Sequence, residues 1–156
     1  MSEAALIAAV VTTGLMSGIF LGFSTAVMPA LARVDDRAFV DVMRAVNAAI
    51  QNGVFALVLL GALASTGVAT WRYAGHDDVL PWVAAGFAGY LVTLAITFRA
   101  NIPLNNRLDR TGPAEDEDVQ DLRAGFERSW VRWHHLRTLA CVFAFGCLCA
   151  ALLTAA

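Results

Sequence analysis

The sequence predicts an all-α membrane protein: a four-helix bundle with two cytoplasmic helical extensions, in a single domain of residues 1–156. Four apolar stretches lie at residues 4–31, 53–70, 81–98 and 136–156. A helix needs about 20 apolar residues to cross a bilayer, and in lipid the backbone must satisfy its own polar groups, so we expect four spanning helices. The chain is 58% hydrophobic and 15% charged, with a mean hydropathy of +0.62, whereas about a quarter of the residues are charged in a typical soluble domain.

The positive charges are distributed unevenly along the chain. All 11 basic residues are arginines, and only Arg72 lies in the loop between the second and third apolar stretches. The other ten of these 11 lie in or beside the loops 32–52 and 99–135. Positive residues near helix ends stay cytoplasmic, so we expect an inner-membrane protein with these loops inside and both termini outside. The lipid bilayer is its first expected partner. Nucleic acid is not expected, because the net charge is −2 and no basic patch is present.

The first apolar stretch contains a ladder of glycines at Gly14, Gly18 and Gly22. Glycines four residues apart line one helix face and let another backbone approach closely. We expect this face to pack against another helix of the same chain, although the ladder also leaves homo-oligomer formation open. Pro29 should end or kink the helix near the cytoplasmic interface.

Residues 35–51 predict an amphipathic helix that Asp35 or Asp36 can cap. One face is apolar at helical spacing, with Phe39, Met43, Val46 and Ile50. Arg44, Asn47 and Gln51 follow the same spacing on a second face. The two amides approach the bilayer, where an unpaired amide is costly. Either they line an internal cavity or they are solvated at the membrane surface.

The third apolar stretch ends in Asn-Ile-Pro-Leu-Asn-Asn at residues 101–106. Pro103 should interrupt the helix and free carbonyl groups upstream. Asn101 and Asn105 would lie one turn apart if the helical turn persists. Their amides can orient a substrate oxygen, or they can satisfy the backbone groups that the proline frees.

Beyond a polar linker at 111–118, a helix should begin at about residue 116 and continue into the membrane. It carries the densest group of chemically active side chains in the chain: Trp130, Trp133, His134, His135 and Arg137. Neighbouring residues of a helix point about 100° apart, so the two histidines face different directions. A small rotation of the helix exchanges which of them faces a cavity.

Three segments resemble the family of small membrane proteins named after anthrone oxygenase. They lie at 43–52, 101–106 and 130–138 and follow one another in the family's order. Asn-x-Pro-Leu-Asn together with Trp-x-x-Trp-x-x-x-Arg-Thr is fairly specific for that family. The chain departs from the pattern at one position, where His134 follows the second tryptophan and the family has Asn.

The resemblance implies oxidation of an anthrone-like or phenolic compound by O₂, without a cofactor. The expected partners are therefore a small lipophilic aromatic substrate and O₂. The C–H beside an aryl ketone is acidic enough for a positioned base to remove. The resulting enolate is electron-rich enough to react with O₂ directly.

The same resemblance suggests roles for the clustered side chains. His134 or His135 would take the proton, with His134 preferred because it shares a helix face with Trp130. Arg137 would hold the enolate oxygen. The remaining candidates would bind the flat aromatic substrate and assist at its oxygen: Asn47, Asn101, Asn105, Trp130 and Trp133.

Two other functions fit the same residues. The protein could be a non-enzymatic membrane accessory that binds or transports a lipophilic compound. Alternatively, His134 or His135 could ligate haem or copper. A haem in a bundle needs ligands deep between the helices, whereas these histidines lie near the cytoplasmic end. A visible absorption spectrum tests the metalloprotein, and incubation with an anthrone under O₂ separates the enzyme from the accessory protein.

Overall fold

The computed structural model describes residues 2–110 and 116–155, and within these residues the protein consists of five helices and no strand. They are α1 (Ser2–Leu31), α2 (Asp36–Ile50), α3 (Gly53–Arg72), α4 (Leu80–Arg110) and α5 (Asp116–Ala155). In this described part, all except α2 are long and apolar enough to cross a bilayer. The predicted helical membrane bundle is confirmed, and its helices fit an integral membrane protein.

Helix α1 passes through Pro29 by means of a wider turn. A proline has no N–H, and its ring clashes with the carbonyl one turn upstream. The backbone relieves this with a π-helical turn at Phe23–Val27, where the N–H of Met28 donates to the carbonyl of Phe23. The helix then continues for one more turn, to Leu31.

Helix α4 uses the same solution before Pro103. Its π-helical turn spans Thr97–Asn101, and the N–H of Ile102 donates to the carbonyl of Thr97. The prediction that Pro103 interrupts the helix is wrong, because the widened turn makes room for the ring and the helix runs on to Arg110. The Asn-x-Pro-Leu-Asn segment is therefore helical and presents its amides to α5.

Helix α2 lies against the N-terminal half of α5. Its first turn is capped by Asp35, whose carboxylate accepts a hydrogen bond from the N–H of Ala38 at 2.9 Å. Phe39 and Met43 are fully buried, and the rings of Phe39 and Phe126 meet edge to face with their centroids 6.2 Å apart. The predicted amphipathic helix is thus present, with its apolar face on α5.

Arg123 fastens the start of α5 to the neighbouring helices. Its guanidinium pairs with Asp36 at 2.9 Å and with Glu127 at 2.7 Å, and it also donates to the carbonyls of Leu31 and Val34. The ends of α1 and α2 are held together at this point. Residues 111–115 of the predicted linker at 111–118 lie outside the described residues. Helix α5 begins at Asp116, within the predicted linker.

Glycines bring α4 and α5 into close contact. A Cβ on Gly86 would lie 2.8 Å from the side chain of Leu148, and one on Gly89 would lie 3.1 Å from Phe143. In the ladder of α1, only Gly14 is used in this way, against Phe145 at 2.9 Å. Gly18 and Gly22 are exposed, and a Cβ on either would meet no atom within 4 Å. The expected packing of the ladder inside the chain therefore holds for Gly14 alone.

We predict that both termini lie outside the cytoplasm, because ten of the 11 arginines cluster at the end of the bundle that carries α2. An alkaline phosphatase fusion at the C-terminus should be active, and a green fluorescent protein fusion there should be dark. The same pair of reporters fused after Arg110 should give the opposite result. A fluorescent C-terminal fusion would reverse the orientation.

Candidate functional site

A cavity of about 470 Å³ opens where α2 and the linker to α3 meet the bundle. This volume lies within the range of roughly 300–1,000 Å³ that is usual for small-molecule sites. All five helices contribute to it. Its walls are mainly apolar and include Phe20, Phe23, Met43, Phe55 and Leu59. The polar residues around it are Asn47, Gln51, Asn52, Thr97, Asn105, Asn106, His134 and Arg137.

Arg137 places a guanidinium in this apolar cavity. The residue is only 9% exposed, and its charge lies over the rings of Phe20 and Trp130, at 4.3 and 5.6 Å from their centroids. Its Nε and Nη2 atoms lie 3.0 and 2.9 Å from Nδ1 of His134. Among the described residues, no carboxylate forms an ion pair with it, and Nη1 makes no hydrogen bond. A buried cation without a counter-ion is costly, so this group favours an anionic or strongly accepting ligand.

His134 is completely buried beside this cation. Its ring stacks on Trp130 with centroids 4.7 Å apart and planes 13° apart, and Phe20 and Phe23 present their edges to it. A guanidinium can only donate, so Nδ1 is the acceptor and the ring proton is on Nε2. Nε2 then donates to the carbonyl of Phe20 at 3.0 Å. The hydrogen bonds thus determine the tautomer of His134.

The amides of α4 hold Trp130 in place. The indole Nε1 of Trp130 donates to Oδ1 of Asn105 at 2.6 Å, and Nδ2 of Asn101 donates to the carbonyl of Trp130 at 3.3 Å. Asn105 also lines the cavity, whereas Asn101 is fully buried behind it and its Oδ1 has no partner. Asn47 of α2 also lines the cavity, and its Nδ2 donates to Oδ1 of Asp109 at 3.5 Å.

The structure brings five of the predicted site residues together around the cavity: Asn47, Asn105, Trp130, His134 and Arg137. Three others do not line it. Asn101 lies behind the wall, Trp133 is 42% exposed on the outer surface, and His135 is exposed with Nδ1 3.3 Å from Oγ of Ser24. The rotation of α5 therefore directs His134 inward and His135 outward.

Sequence reasoning missed the parts of the wall that carry no polar signal. Phe55, Ala56 and Leu59 of α3 line the cavity, as do Phe20 and Phe23 of α1. In a membrane helix both lipid-facing and cavity-facing side chains are apolar, so the sequence does not distinguish these residues from ones that face lipid. The carbonyl of Phe20, which anchors His134, is a backbone group that no side-chain pattern could indicate. Of the two alternatives for Asn47 and Gln51, the structure agrees with the first, because both residues line the cavity.

In the part of the chain that the structure describes, no three His, Cys, Asp or Glu side chains are grouped to hold a metal ion. Of the two histidines proposed as haem or copper ligands, His134 has both ring nitrogens in hydrogen bonds within the protein. His135 is exposed and has Nδ1 within 3.3 Å of Oγ of Ser24.

A bundle of apolar helices around a cavity that contains a buried guanidinium defines a helical membrane protein with a candidate ligand site between its helices. The chain belongs to the anthrone oxygenase family, because the model of the family described as "Anthrone oxygenase" matches residues 39–147. The resemblance found in the sequence is confirmed. No curated protein and no solved structure matches the chain. The family supports an oxygenase-like role in general, and the matched region contains Asn47, Asn105, Trp130, His134 and Arg137.

Proposed function

We propose that the protein oxidises a lipophilic anthrone-like or phenolic compound with O₂, through an enolate and without a cofactor. The observation that carries the proposal is the guanidinium of Arg137, which faces an apolar cavity without a carboxylate partner among the described residues. Such a cation binds an enolate or phenolate oxygen more strongly than the neutral parent compound. It therefore stabilises the species that reacts with O₂.

The surroundings of Arg137 strengthen this effect. Coulombic attraction is larger in an apolar site than in water, because the effective dielectric constant is lower. His134 occupies Nε and Nη2 of the guanidinium, whereas Nη1 remains available as a donor to a ligand. The rings of Phe20, Phe23 and Trp130 offer apolar surfaces to a flat aromatic molecule.

The reaction balances without a further reactant. The substrate CH₂, which lies across the central ring from the ketone and is conjugated with it through the aryl rings, loses one proton, and the enolate forms a carbon–oxygen bond with O₂. The resulting peroxide takes up a proton, and loss of water converts the former CH₂ into a carbonyl. One anthrone and one O₂ thus give one quinone and one water. In the first step either His134 accepts the proton, after Arg137 has turned to the substrate oxygen, or the proton leaves to water at the open rim.

The test is turnover of 1,8-dihydroxyanthrone by the purified protein in lipid nanodiscs under O₂. Quinone formation, followed by absorbance, and O₂ uptake should both exceed the rates of autoxidation in empty nanodiscs and should match one to one. Saturable binding under anaerobic conditions, with no turnover under O₂, would instead support the accessory-protein alternative and overturn the enzymatic proposal.

We predict that Ala56→Trp blocks this reaction, because Ala56 lies at the cavity and an indole would fill the space beside Phe55. Its kcat/KM should fall by about 10- to 100-fold, as expected for a misplaced substrate. Leu57→Trp is the matched control, since Leu57 is the next residue, is 72% exposed and does not line the cavity. Equal loss in both variants would place the reaction outside this cavity.

A further inference from the structure

We infer that His134 is a positioning residue that holds the guanidinium of Arg137 for the substrate anion, and that it is not the general base. The inference rests on the proposed function, in which Arg137 receives an enolate or phenolate oxygen.

The lone pair of His134 is already in use. A neutral imidazole has a single in-plane lone pair, here on Nδ1, and two N–H groups of Arg137 point at it from 3.0 and 2.9 Å. To accept a proton from the substrate, Nδ1 would have to lose both of these hydrogen bonds. The new imidazolium would then lie beside the guanidinium, and two adjacent buried cations repel each other.

The ring is also fixed in its orientation. Its Nε2–H donates to the carbonyl of Phe20 in α1, and its face stacks on Trp130 of α5. Phe20 and Phe23 border it with their edges. His134 therefore connects the backbone of α1 to the guanidinium on α5 through two hydrogen-bonded ring nitrogens. A group anchored at both ends is suited to orienting its neighbour.

Because His134 is neutral, it orients Arg137 without cancelling the positive charge that a ligand meets. A carboxylate at position 134 would orient Arg137 equally well, but it would cancel the positive charge and face the carbonyl of Phe20 without a proton to donate. A neutral group that accepts on one side and donates on the other leaves the charge available. With His134 in this role, the substrate proton leaves to water at the rim formed by the exposed amides of Gln51, Asn52 and Asn106.

The experiment compares His134→Asn, His134→Gln, His134→Asp and His134→Leu in nanodiscs. Binding of 4-nitrophenolate, at a pH where the phenol is ionised, is measured by equilibrium dialysis against binding of its neutral isostere 4-nitroanisole. The ratio of the two affinities reports the charge that Arg137 presents, and a purely structural role would not change it. His76→Asn, in the loop at the other end of the bundle, is the control for a surface histidine.

An amide at position 134 can accept from Arg137 and donate to Phe20, so the Asn variant, or Gln if Asn misfolds, should keep the phenolate preference and turnover within about 10-fold of wild type. Asp and Leu should lower the preference by about 10- to 100-fold, the value of one charge-assisted hydrogen bond. A general base also predicts unchanged binding in the amide variants, but it predicts a loss of about 10²–10⁴-fold in their turnover. That result, or an unchanged preference in the Asp variant, overturns the inference. If the wild-type protein shows no turnover, only the proposed function is contradicted, because the ratios of binding affinities still test the positioning role of His134.

Discussion

Replacing Arg137 by Gln is expected to lower kcat by about 10²–10³-fold, the usual cost of removing a donor to a developing oxyanion. Gln retains some hydrogen bonding to His134 but removes the charge from the apolar cavity. The enolate then loses its counter-ion in a site of low dielectric constant. The measurement is the initial rate of quinone formation over a range of anthrone concentrations, so that kcat and KM are separated.

Arg137→Lys should retain part of the activity. An ammonium keeps the charge, but as a compact group it cannot both reach Nδ1 of His134 in a planar fork and present a free N–H to the ligand. Arg128→Gln is the matched control, because Arg128 is exposed on the same helix and does not line the cavity.

The Arg137→Gln variant should fold at least as stably as the wild type, since it removes a buried charge that has no carboxylate partner in the described residues. A loss of activity combined with unchanged thermal unfolding therefore indicates a functional role. Full turnover in this variant would contradict the assignment of Arg137 and the proposed function with it.

Gly86→Val is expected to cause the largest loss of stability among substitutions outside the cavity. A Cβ at this position would lie 2.8 Å from Cγ of Leu148 and 3.2 Å from the carbonyl oxygen of Ala144, so α4 and α5 would have to separate. Overpacking of this kind costs about 1–3 kcal/mol, and more when backbone atoms are involved. The midpoint of thermal unfolding in detergent and the monodisperse fraction on gel filtration should both fall.

Gly146→Val is the control for this prediction. Gly146 lies in α5, is exposed, and a Cβ there would meet no atom within 4 Å. Both variants add the same β-branched side chain to a helix, so their difference isolates the contact between α4 and α5. If the two variants unfold at the same temperature, the close approach at Gly86 does not contribute to stability.

The membrane helices were predictable because their signal is local. Each apolar stretch must pair its own backbone in lipid, whatever its neighbours are, and helix formation follows. The cap at Asp35 was predictable for the same reason, since the carboxylate and the N–H it accepts from are three residues apart. The family was also visible in short segments, because the residues at 101–106 and 130–138 keep their spacing whether or not the fold is known.

The outcome at Pro103 shows where a local rule fails. The proline was expected to interrupt the helix and free carbonyl groups upstream, but an interruption is not the only way in which a helix can accommodate a proline. A π-helical turn at Thr97–Asn101 accommodates the ring, and α4 then continues along α5. The choice depends on packing, because the continued helix buries Asn101 and lets Asn105 bond to Trp130.

By itself, the sequence determined the helical class, the number of apolar spans and the identity of the polar residues at one end of the bundle. Only the tertiary structure decided that His134 faces the cavity and His135 faces outward. The rotation of α5 depends on its contacts with other helices, such as the hydrogen bond from His134 to the carbonyl of Phe20, more than a hundred residues away in the chain. The tertiary structure also showed that His134 accepts a hydrogen bond from Arg137 on one ring nitrogen and donates to the carbonyl of Phe20 from the other. The hydrogen-bond partner of Arg137, His134, is three residues away along the helix. Whether a carboxylate lies near Arg137 depends on the side chains of the other helices, and in the described part of the chain none does. Contacts between residues far apart in the chain cannot be read from local periodicity, yet these contacts determine which polar groups meet in the cavity.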